Sequence, residues 1–300
     1  MAQLDSLASQ IKLPQELVAC DDASEDATFE ILADFAIHAP FPVRLYRNPQ
    51  RLGIGANFER AIGLCSGEAI ALCDQDDVWM PEKLARFAEA FAAGAEWVCC
   101  DARIVGEDLT PLGYTLWERV NFCRSGRDRA RQGRLFEVLL KHCVVAGATL
   151  AFRAGLRDGL LPIPSEWHYD AWLAAVLAAR SRGALIDEPM QYYRQHGGNA
   201  LGGARRSLSS EVRAAFSLDR NNYYQEELGR WSQLAARLAN TPNPGVEGEL
   251  AAKLAHLKRR ASLPPMRLAR LPAVAVEMAR GGYAHYARNW GSVAMDLLVK

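Results

Sequence analysis

Residues 69–79, Ala-Ile-Ala-Leu-Cys-Asp-Gln-Asp-Asp-Val-Trp, join a short apolar run to a dense group of carboxylates. The run through Cys73 has the character of a buried strand, and Asp74, Asp76 and Asp77 follow it at once. Two like charges about 4 Å apart repel by on the order of 4 kcal/mol at an effective dielectric of about 20. The cluster therefore predicts protonation, water or a bound cation, and oxygen ligands at this spacing favour Mg²⁺ or Mn²⁺.

A second acidic pair has the same relation to a strand. The apolar residues 17–20 run into Asp21 and Asp22, which open the sequence Asp-Asp-Ala-Ser. That sequence alone is also common in turns and helix caps. In an open parallel sheet, however, ligands bind outside the carboxyl ends of the strands. Two acidic clusters at strand ends therefore favour a binding site over a pair of turns.

The pattern of apolar residues places these clusters in an α/β fold. Strands are predicted at residues 16–20, 43–46, 69–73, 97–100 and 148–152. Apolar residues at helical spacing predict helices over residues 58–65 and 84–91, between those strands. This alternation predicts a mostly parallel sheet flanked by helices. It stops near residue 200, so we predict an α/β domain at residues 1–200 and a helical region at 201–300.

Composition narrows the class of protein. The seven Cys residues are odd in number and form no C-x-x-C pair, which predicts reduced thiols in a cytoplasmic protein. The sequence shows no signal peptide, and its longest apolar run, residues 171–179, is too short to span a bilayer. The first hundred residues are acidic and the last hundred basic, although the formal net charge is zero. No nucleic acid partner is expected.

Several segments resemble family 2 glycosyltransferases. Residues 17–28 are similar to the family's second strand and "DDGS-x-D-x-T" loop, and residues 48–61 to its "N-x-x-x-G-x-x-x-N-x-x-x-A" segment. Residues 67–84 look like "G-E-x-I-x-x-x-D-x-D-D-x-W-x-P-x-K-L". The remaining matches are residues 147–149 to the acceptor-side loop, 168–172 to "H-D-x-W" and 193–199 to "Y-R-x-H-x-x-N". These segments occur in the family's order.

The resemblance implies a GT-A fold and a role for each matching residue. The donor, a nucleotide-diphosphate sugar, would be held by Asp21 or Asp22, by Asn57 and by Asp74. The divalent cation, Mg²⁺ or Mn²⁺, would be held by Asp76 and His196, and the general base would be Asp170.

For three of these residues, a purely structural interpretation stays open. Asp170 would share a helix face with Leu173 and Leu177, where a carboxylate is unexpected unless it faces a pocket. It could equally be a helix-start Asp favoured by the dipole. Asn57 could be a helix N-cap, and His196 a surface loop histidine.

The function implied is transfer of a sugar to a glycan or lipid-linked acceptor, with inversion, in cell-surface polysaccharide synthesis. The Asp-Gln-Asp-Asp-x-Trp version at residues 74–79 points to a rhamnosyltransferase-like branch. One rival is an Mg²⁺-dependent phosphotransfer domain, which would require a Lys after a late strand that the sequence does not show. The other is a catalytically impaired, truncated homologue.

Two expectations concern the ends of the chain. Residues 3–7 already look like the helix that follows the family's first strand, so that strand is expected to be missing and activity to be weak. Residues 266–271 and 283–288 interleave basic with apolar or aromatic residues, as interfacial helices do. They predict peripheral contact with the inner face of the cell membrane, and a helical region packed on the catalytic domain is the alternative.

Overall fold

A computed structural model describes residues 1–195, 219–240, 243–288 and 290–299. The chain forms two compact units. The first unit contains Met1–Gly133 and Val144–His196, and the second contains Arg134–Cys143 and Gly197–Lys300. Residues 134–143, which the sequence assigns to the first domain, therefore belong with the C-terminal helices. The boundary predicted near residue 200 lies outside the described residues.

The first unit alternates strands and helices along most of its length. Its strands are β1 Leu17–Asp21, β2 Val43–Arg47, β3 Ala69–Ala71, β4 Val78–Trp79, β5 Trp97–Val105, β6 Pro111–Thr115, β7 Leu150–Arg153 and β8 Gly183–Arg194. Its helices are α1 Ala2–Ala8, α2 Thr28–His38, α3 Ile54–Leu64, α4 Lys83–Ala92, α5 Leu116–Arg119, α6 Arg124–Arg131, α8 Arg157–Leu160 and α9 Tyr169–Arg180. The helix between α6 and α8, α7 Leu135–Leu139, belongs to the second unit.

The main sheet has the order β3-β7-β5-β8-β4, with β6 paired to β5. The α/β class with flanking helices is confirmed, but the sheet is mixed. Parallel pairing joins β1 to β2 and β5 to β8, whereas the pairs β3–β7, β4–β8, β5–β6 and β5–β7 are antiparallel. The expected predominance of parallel pairs is therefore wrong for this sheet. The short connection from β5 to β6 permits a hairpin, which is antiparallel, whereas parallel pairs need a crossover.

Strand β5 lies at the centre of this sheet and is almost wholly buried. Phe87 and Phe91 of α4 pack on its Val98 and Cys100, together with Ile186 of β8. The helix predicted at residues 84–91 therefore presents the expected apolar face to the sheet.

Helix α1 packs against the first unit through Leu4 and Leu7, which are 9% and 3% exposed. The Trp79 backbone N–H of β4 donates to the Ser6 hydroxyl at 3.0 Å. Ile11 lies beyond the end of this helix at Ala8 and is 69% exposed. Within the described chain, β1 has β2 as its one strand partner and β3 has β7, so no backbone pairing joins the two sheets.

The second unit confirms the helical C-terminal region. Its long helices are α10 Arg220–Leu238, α11 Pro244–Ala261 and α12 Arg267–Ala279, followed by α13 Gly282–Tyr286 and α14 Trp290–Leu298. They bury Asp296, whose carboxylate accepts from Arg260 Nε at 2.6 Å and from the Tyr283 hydroxyl at 2.5 Å. A buried charge is tolerated when it is paired and hydrogen-bonded in this way. Among the described helices, none is both long and apolar enough to cross a bilayer.

A buried histidine in this unit predicts a pH-dependent stability. His256 Nδ1 lies 2.6 Å from Glu277 Oε1, while its Nε2 has no hydrogen-bond partner among the described residues. Since a carboxylate only accepts, Nδ1 carries the proton and Nε2 stays bare. Burial lowers the pKa of His256 from 6.5 to about 4 against the opposing effect of Glu277. Below about pH 6.5 the unfolded chain therefore takes up a proton that the folded chain does not.

We accordingly expect the free energy of unfolding to fall as the pH drops from about 6.5 towards 4, by about 1 kcal/mol per pH unit for this one group. His256→Gln keeps a donor for Glu277 but cannot titrate. Between about pH 7 and pH 5, the urea midpoint of this variant should therefore fall less than that of the unaltered chain. His285→Gln, at an exposed position of α13, is the matched control. Equal losses in both variants would contradict this assignment.

Candidate active site

The first acidic pair is organised by contacts at the end of β1. Asp21 is 3% exposed, and its Oδ2 lies 3.2 Å from Arg47 Nε. Asp22 accepts from the backbone N–H groups of Leu52 and Gly53 at 2.8 and 2.9 Å. Burial acts to raise the pKa of Asp22, but these donors and Asn48 outweigh it and lower the pKa. Asp22 therefore stays ionised and holds the loop before α3 beside the end of β1.

Two asparagines extend this network. Asn48 Nδ2 donates to Asp22 Oδ1 at 2.6 Å and to Asn57 Oδ1 at 2.8 Å. Asn57 Nδ2 in turn donates to the Cys20 carbonyl at 2.9 Å. The N-cap of α3 is Gly53, whose φ of +86° suits glycine, so the N-cap interpretation of Asn57 is wrong. Asn57 instead fixes α3 to the end of β1.

The second acidic cluster follows β3, and its carboxyl groups lie close together. Burial, followed by the charge of Asp76, raises the pKa of Asp74 to about 6. Burial, followed by Asp74 and Asp76, raises the pKa of Asp77 to about 8. Asp76 is half-buried and Asp77 is 1% exposed. The repulsion expected from the sequence is therefore present at this strand end.

Asp77 has a structural role that the sequence did not reveal. Its Oδ2 accepts from Gln191 Nε2 at 2.6 Å and its Oδ1 from the Arg194 backbone N–H at 3.2 Å, both on β8. Lys83, wholly buried, donates to Gln191 Oε1 and, at 2.7 Å, to the Ala148 carbonyl. This chain of contacts fixes the acidic loop to β8 and to the segment before β7. A Lys and a Gln more than a hundred positions apart carry no joint signal in the sequence.

Asp170 lies in the first turn of α9 and is 7% exposed. Burial raises its pKa, while the backbone N–H of Ala171, 2.7 Å from Oδ1, and that of Gly147 act to lower it. Asp170 therefore has the helix-start position that the sequence allowed, and its side chain is buried as well. A raised pKa makes the ionised carboxylate a stronger base than an exposed one.

Tyr169 joins Asp170 to the acidic cluster. Its hydroxyl donates to Asp74 Oδ1 at 3.2 Å, and the charge of Asp170 contributes to the raised pKa of Asp74. The Tyr169 ring stacks on Phe58 of α3, with centroids 4.1 Å apart and planes 9° apart. The fold thus brings Asp74, Asp76 and Asp170 close together. The Asp21 and Asp22 pair is connected to them indirectly, through contacts of helix α3.

The carboxylates suit a divalent cation, although their number is small. Within the described ranges, no group of three His, Cys, Asp or Glu side chains converges on one point. Mg²⁺ is commonly held by one or two carboxylates together with substrate phosphates, so Asp74 and Asp76 fit such an ion. His196, the other ligand implied by the sequence resemblance, lies outside the described residues.

Gly147 is needed for this arrangement because Tyr169 lies directly against it. A Cβ on Gly147 would stand 2.1 Å from the Tyr169 hydroxyl oxygen, whereas a Cβ on Gly155 would meet nothing within 4 Å. The stack on Phe58 limits retreat of the ring, so Gly147→Ala should break the Tyr169–Asp74 hydrogen bond. We expect a loss of about 1–3 kcal/mol in unfolding free energy, measured by urea denaturation. Gly155→Ala is the control, and equal stability of the two variants would refute the contact.

Comparison with solved structures identifies the fold. The mannosyltransferase PcManGT from Pyrobaculum calidifontis, in complex with GDP-Man and Mn²⁺, matches with a TM-score of 0.53 and 18% identity, over 98% of this chain and 80% of that one. At this identity the likeness concerns the fold alone, and it confirms the GT-A type expected from the sequence.

Sequence comparison identifies the family. An uncharacterized protein of Mycobacterium tuberculosis is 34% identical over 206 residues, which are 64% of this chain and 54% of the relative, so the chain spans about half of that protein. The dTDP-rhamnosyl transferase RfbG of Shigella flexneri is 24% identical over 269 residues, 86% of this chain and 90% of RfbG. The family model "Glycosyl transferase family 2" matches residues 2–159 of the 300. The chain therefore belongs to glycosyl transferase family 2.

Proposed function

We propose that the chain transfers a sugar from a nucleotide-diphosphate donor to a hydroxyl of a glycan or lipid-linked acceptor. One observation carries this proposal: Tyr169, at the start of α9, bonds Asp74 after β3, and Asp76 and Asp170 lie close enough to Asp74 for their charges to raise its pKa. A crowded acidic pair beside a separate buried carboxylate provides the two functions that sugar transfer requires. One is a place for the diphosphate with its cation, and the other is a base for the acceptor.

Donor binding is assigned to the acidic residues of the two strand ends. Asp76 would be the principal ligand of Mg²⁺ or Mn²⁺, with His196 as a further ligand and Asp74 nearer the ribose or sugar. When bound, the cation stabilises the negative charge of the departing diphosphate. Asp21 or Asp22, held by Arg47 and by the loop before α3, would approach the base or ribose together with Asn57.

The acceptor side is assigned to Asp170. As the acceptor oxygen forms its bond to the anomeric carbon, Asp170 would take the hydroxyl proton, and the bond to the diphosphate oxygen would break. A single displacement of this kind inverts the anomeric configuration. The Ala171 and Gly147 N–H groups orient the carboxylate, and Tyr169 keeps Asp74 in place beside it.

For the donor sugar we propose rhamnose, carried by a nucleotide diphosphate. Support comes from the Asp-Gln-Asp-Asp-x-Trp sequence and from the likeness to a relative named as a dTDP-rhamnosyl transferase. The corresponding process would be cell-surface polysaccharide synthesis, with the chain in the cytoplasm or on the inner face of the membrane.

A thermal-shift panel tests the proposal. The chain is mixed with dTDP-rhamnose, UDP-GlcNAc or GDP-mannose, each with Mn²⁺ or with EDTA. A ligand at a hundred times its Kd stabilises a folded protein by about 2.7 kcal/mol, which displaces the melting transition by several degrees. We expect the largest shift with dTDP-rhamnose, and only in Mn²⁺. A larger shift with another donor would reject rhamnose, and no shift with any donor would favour the impaired homologue.

A further inference from the structure

Helix α12 of the second unit turns its charged residues inward. Arg270 and Glu277 are 1% and 4% exposed and lie on one face with Val274, at i, i+4 and i+7. The Arg270 guanidinium donates to the carbonyls of Val299 at 2.6 Å and Asp296 at 2.8 Å. Glu277 Oε2 accepts from Arg259 Nε at 2.6 Å, and its Oε1 bonds His256. The inner face is therefore fully engaged by partners within the unit.

The opposite face of the same helix is apolar and exposed to solvent. Leu268 is 77% exposed, Leu271 and Val276 are each 49% exposed, and Met278 is 37% exposed. We call this the outer apolar face: Leu268, Leu271, Ala275, Val276 and Met278. Leu268, Leu271, Ala275 and Met278 recur at three- and four-residue spacing, which places them along one side of the helix, and Val276 flanks them. Most surface helices show the reverse, with charges outward, so this face is suited to an apolar environment.

The exposed charges of α12 and of the residue that follows it have one sign. Arg267 and Arg280 stand exposed at the two ends of the outer apolar face. Within α12, all of whose residues are described, the one acidic side chain is Glu277, which is buried. The unit also exposes Trp290, at 75%. Helices with an apolar face bordered by arginine, and tryptophan nearby, lie in the interface of bilayers that contain anionic lipid.

We propose that α12 binds the surface of an anionic lipid bilayer through the outer apolar face, with Arg267 and Arg280 at the headgroups. This goes beyond the sugar transfer proposed above and does not depend on it. It would place the second unit on the surface of a membrane. The apolar side chains provide the insertion, and the arginines provide the preference for negative charge.

Flotation with vesicles tests the proposal on the full chain without any sugar donor. We expect the chain to float at low salt with vesicles that contain phosphatidylglycerol, and much less with phosphatidylcholine alone. Leu268→Ser with Leu271→Ser should reduce vesicle affinity by about ten-fold or more, because their burial in the interface is lost. Arg267→Gln and Arg280→Gln should each cost about five-fold on the anionic vesicles.

The matched control replaces two equally exposed apolar residues elsewhere. Ile11 and Ile37 of the first unit are 69% and 78% exposed, and Ile11→Ser with Ile37→Ser should leave flotation unchanged. Circular dichroism establishes that each variant is folded, as expected for changes at the surface. The proposal is overturned if the unaltered chain does not float, or if both serine pairs lower flotation equally. It is also overturned if light scattering shows a dimer that only the Leu268 and Leu271 pair disrupts, since the face would then bind a second copy.

Discussion

Asp76→Asn is expected to abolish cation-dependent binding of the nucleotide donor while leaving the chain folded. Asp76 is half-buried beside Asp74, whose pKa its charge helps to raise, so the two carboxylates repel each other until a cation is bound. Removing one partner of a buried charge pair costs about 3–5 kcal/mol. For donor held through a cation, that corresponds to a loss of affinity of roughly 10²–10⁴-fold. Stability without ligand should be unchanged or slightly higher, because the repulsion is relieved.

Titration calorimetry with nucleoside diphosphate, in Mn²⁺ and in EDTA, measures this effect. The unaltered chain should bind in Mn²⁺ only, and Asp76→Asn should bind weakly in both. Asp34→Asn, which makes the same chemical change at an exposed position of α2, should bind as the unaltered chain does. If Asp76→Asn retained full affinity in Mn²⁺, Asp76 would not be a metal ligand, and the acidic cluster would need another explanation.

Asp170→Asn is expected to lower turnover by about 10²–10⁴-fold with little change in donor affinity. The amide keeps an oxygen to accept from the Ala171 N–H, as Asp170 Oδ1 does at 2.7 Å, so the start of α9 should be retained. What the amide lacks is the capacity to take a proton, which is the role proposed for Asp170. The effect should therefore appear in kcat, whereas the calorimetric donor affinity that Asp76→Asn destroys should survive.

Steady-state kinetics with a rhamnosyl donor and a glycan acceptor tests this assignment. Asp158→Asn, at an exposed position of α8, serves as the control for the change of Asp to Asn. Activity of Asp170→Asn equal to that of the control would leave Asp170 as a helix-start carboxylate only. A loss of donor affinity without a loss of kcat would move Asp170 to the donor side of the site.

Local sequence determined several strands and helices and the positions of the acidic clusters. The strands predicted at 43–46 and 97–100 are found within β2 and β5, and the helix predicted at 84–91 is found within α4. Each depends on the spacing of neighbouring apolar residues and on a turn directly after a strand. These signals are short-range, so they can be read without knowledge of the rest of the chain.

Strand β8 and the polar contacts of the site depended on distant parts of the chain. The Asp-Glu-Pro sequence at residues 187–189 interrupts the apolar pattern of β8, yet the strand continues because its register with β5 shifts there. The extra residues form a bulge, which only the partner strand can stabilise. The contact of Tyr169 with Gly147 and Asp74 likewise joins residues that have no common local pattern.

Helix α12 shows most clearly what the local sequence could not determine. Its mixture of basic and apolar residues was enough to predict an interfacial helix or a packed one, but not which side would face solvent. Burying an arginine is unfavourable unless its donors are satisfied. The carbonyls that satisfy Arg270 come from residues 264, 265, 296 and 299, all outside the helix. Only the tertiary structure supplies them, and they are the reason that the charge lies inside and the leucines outside.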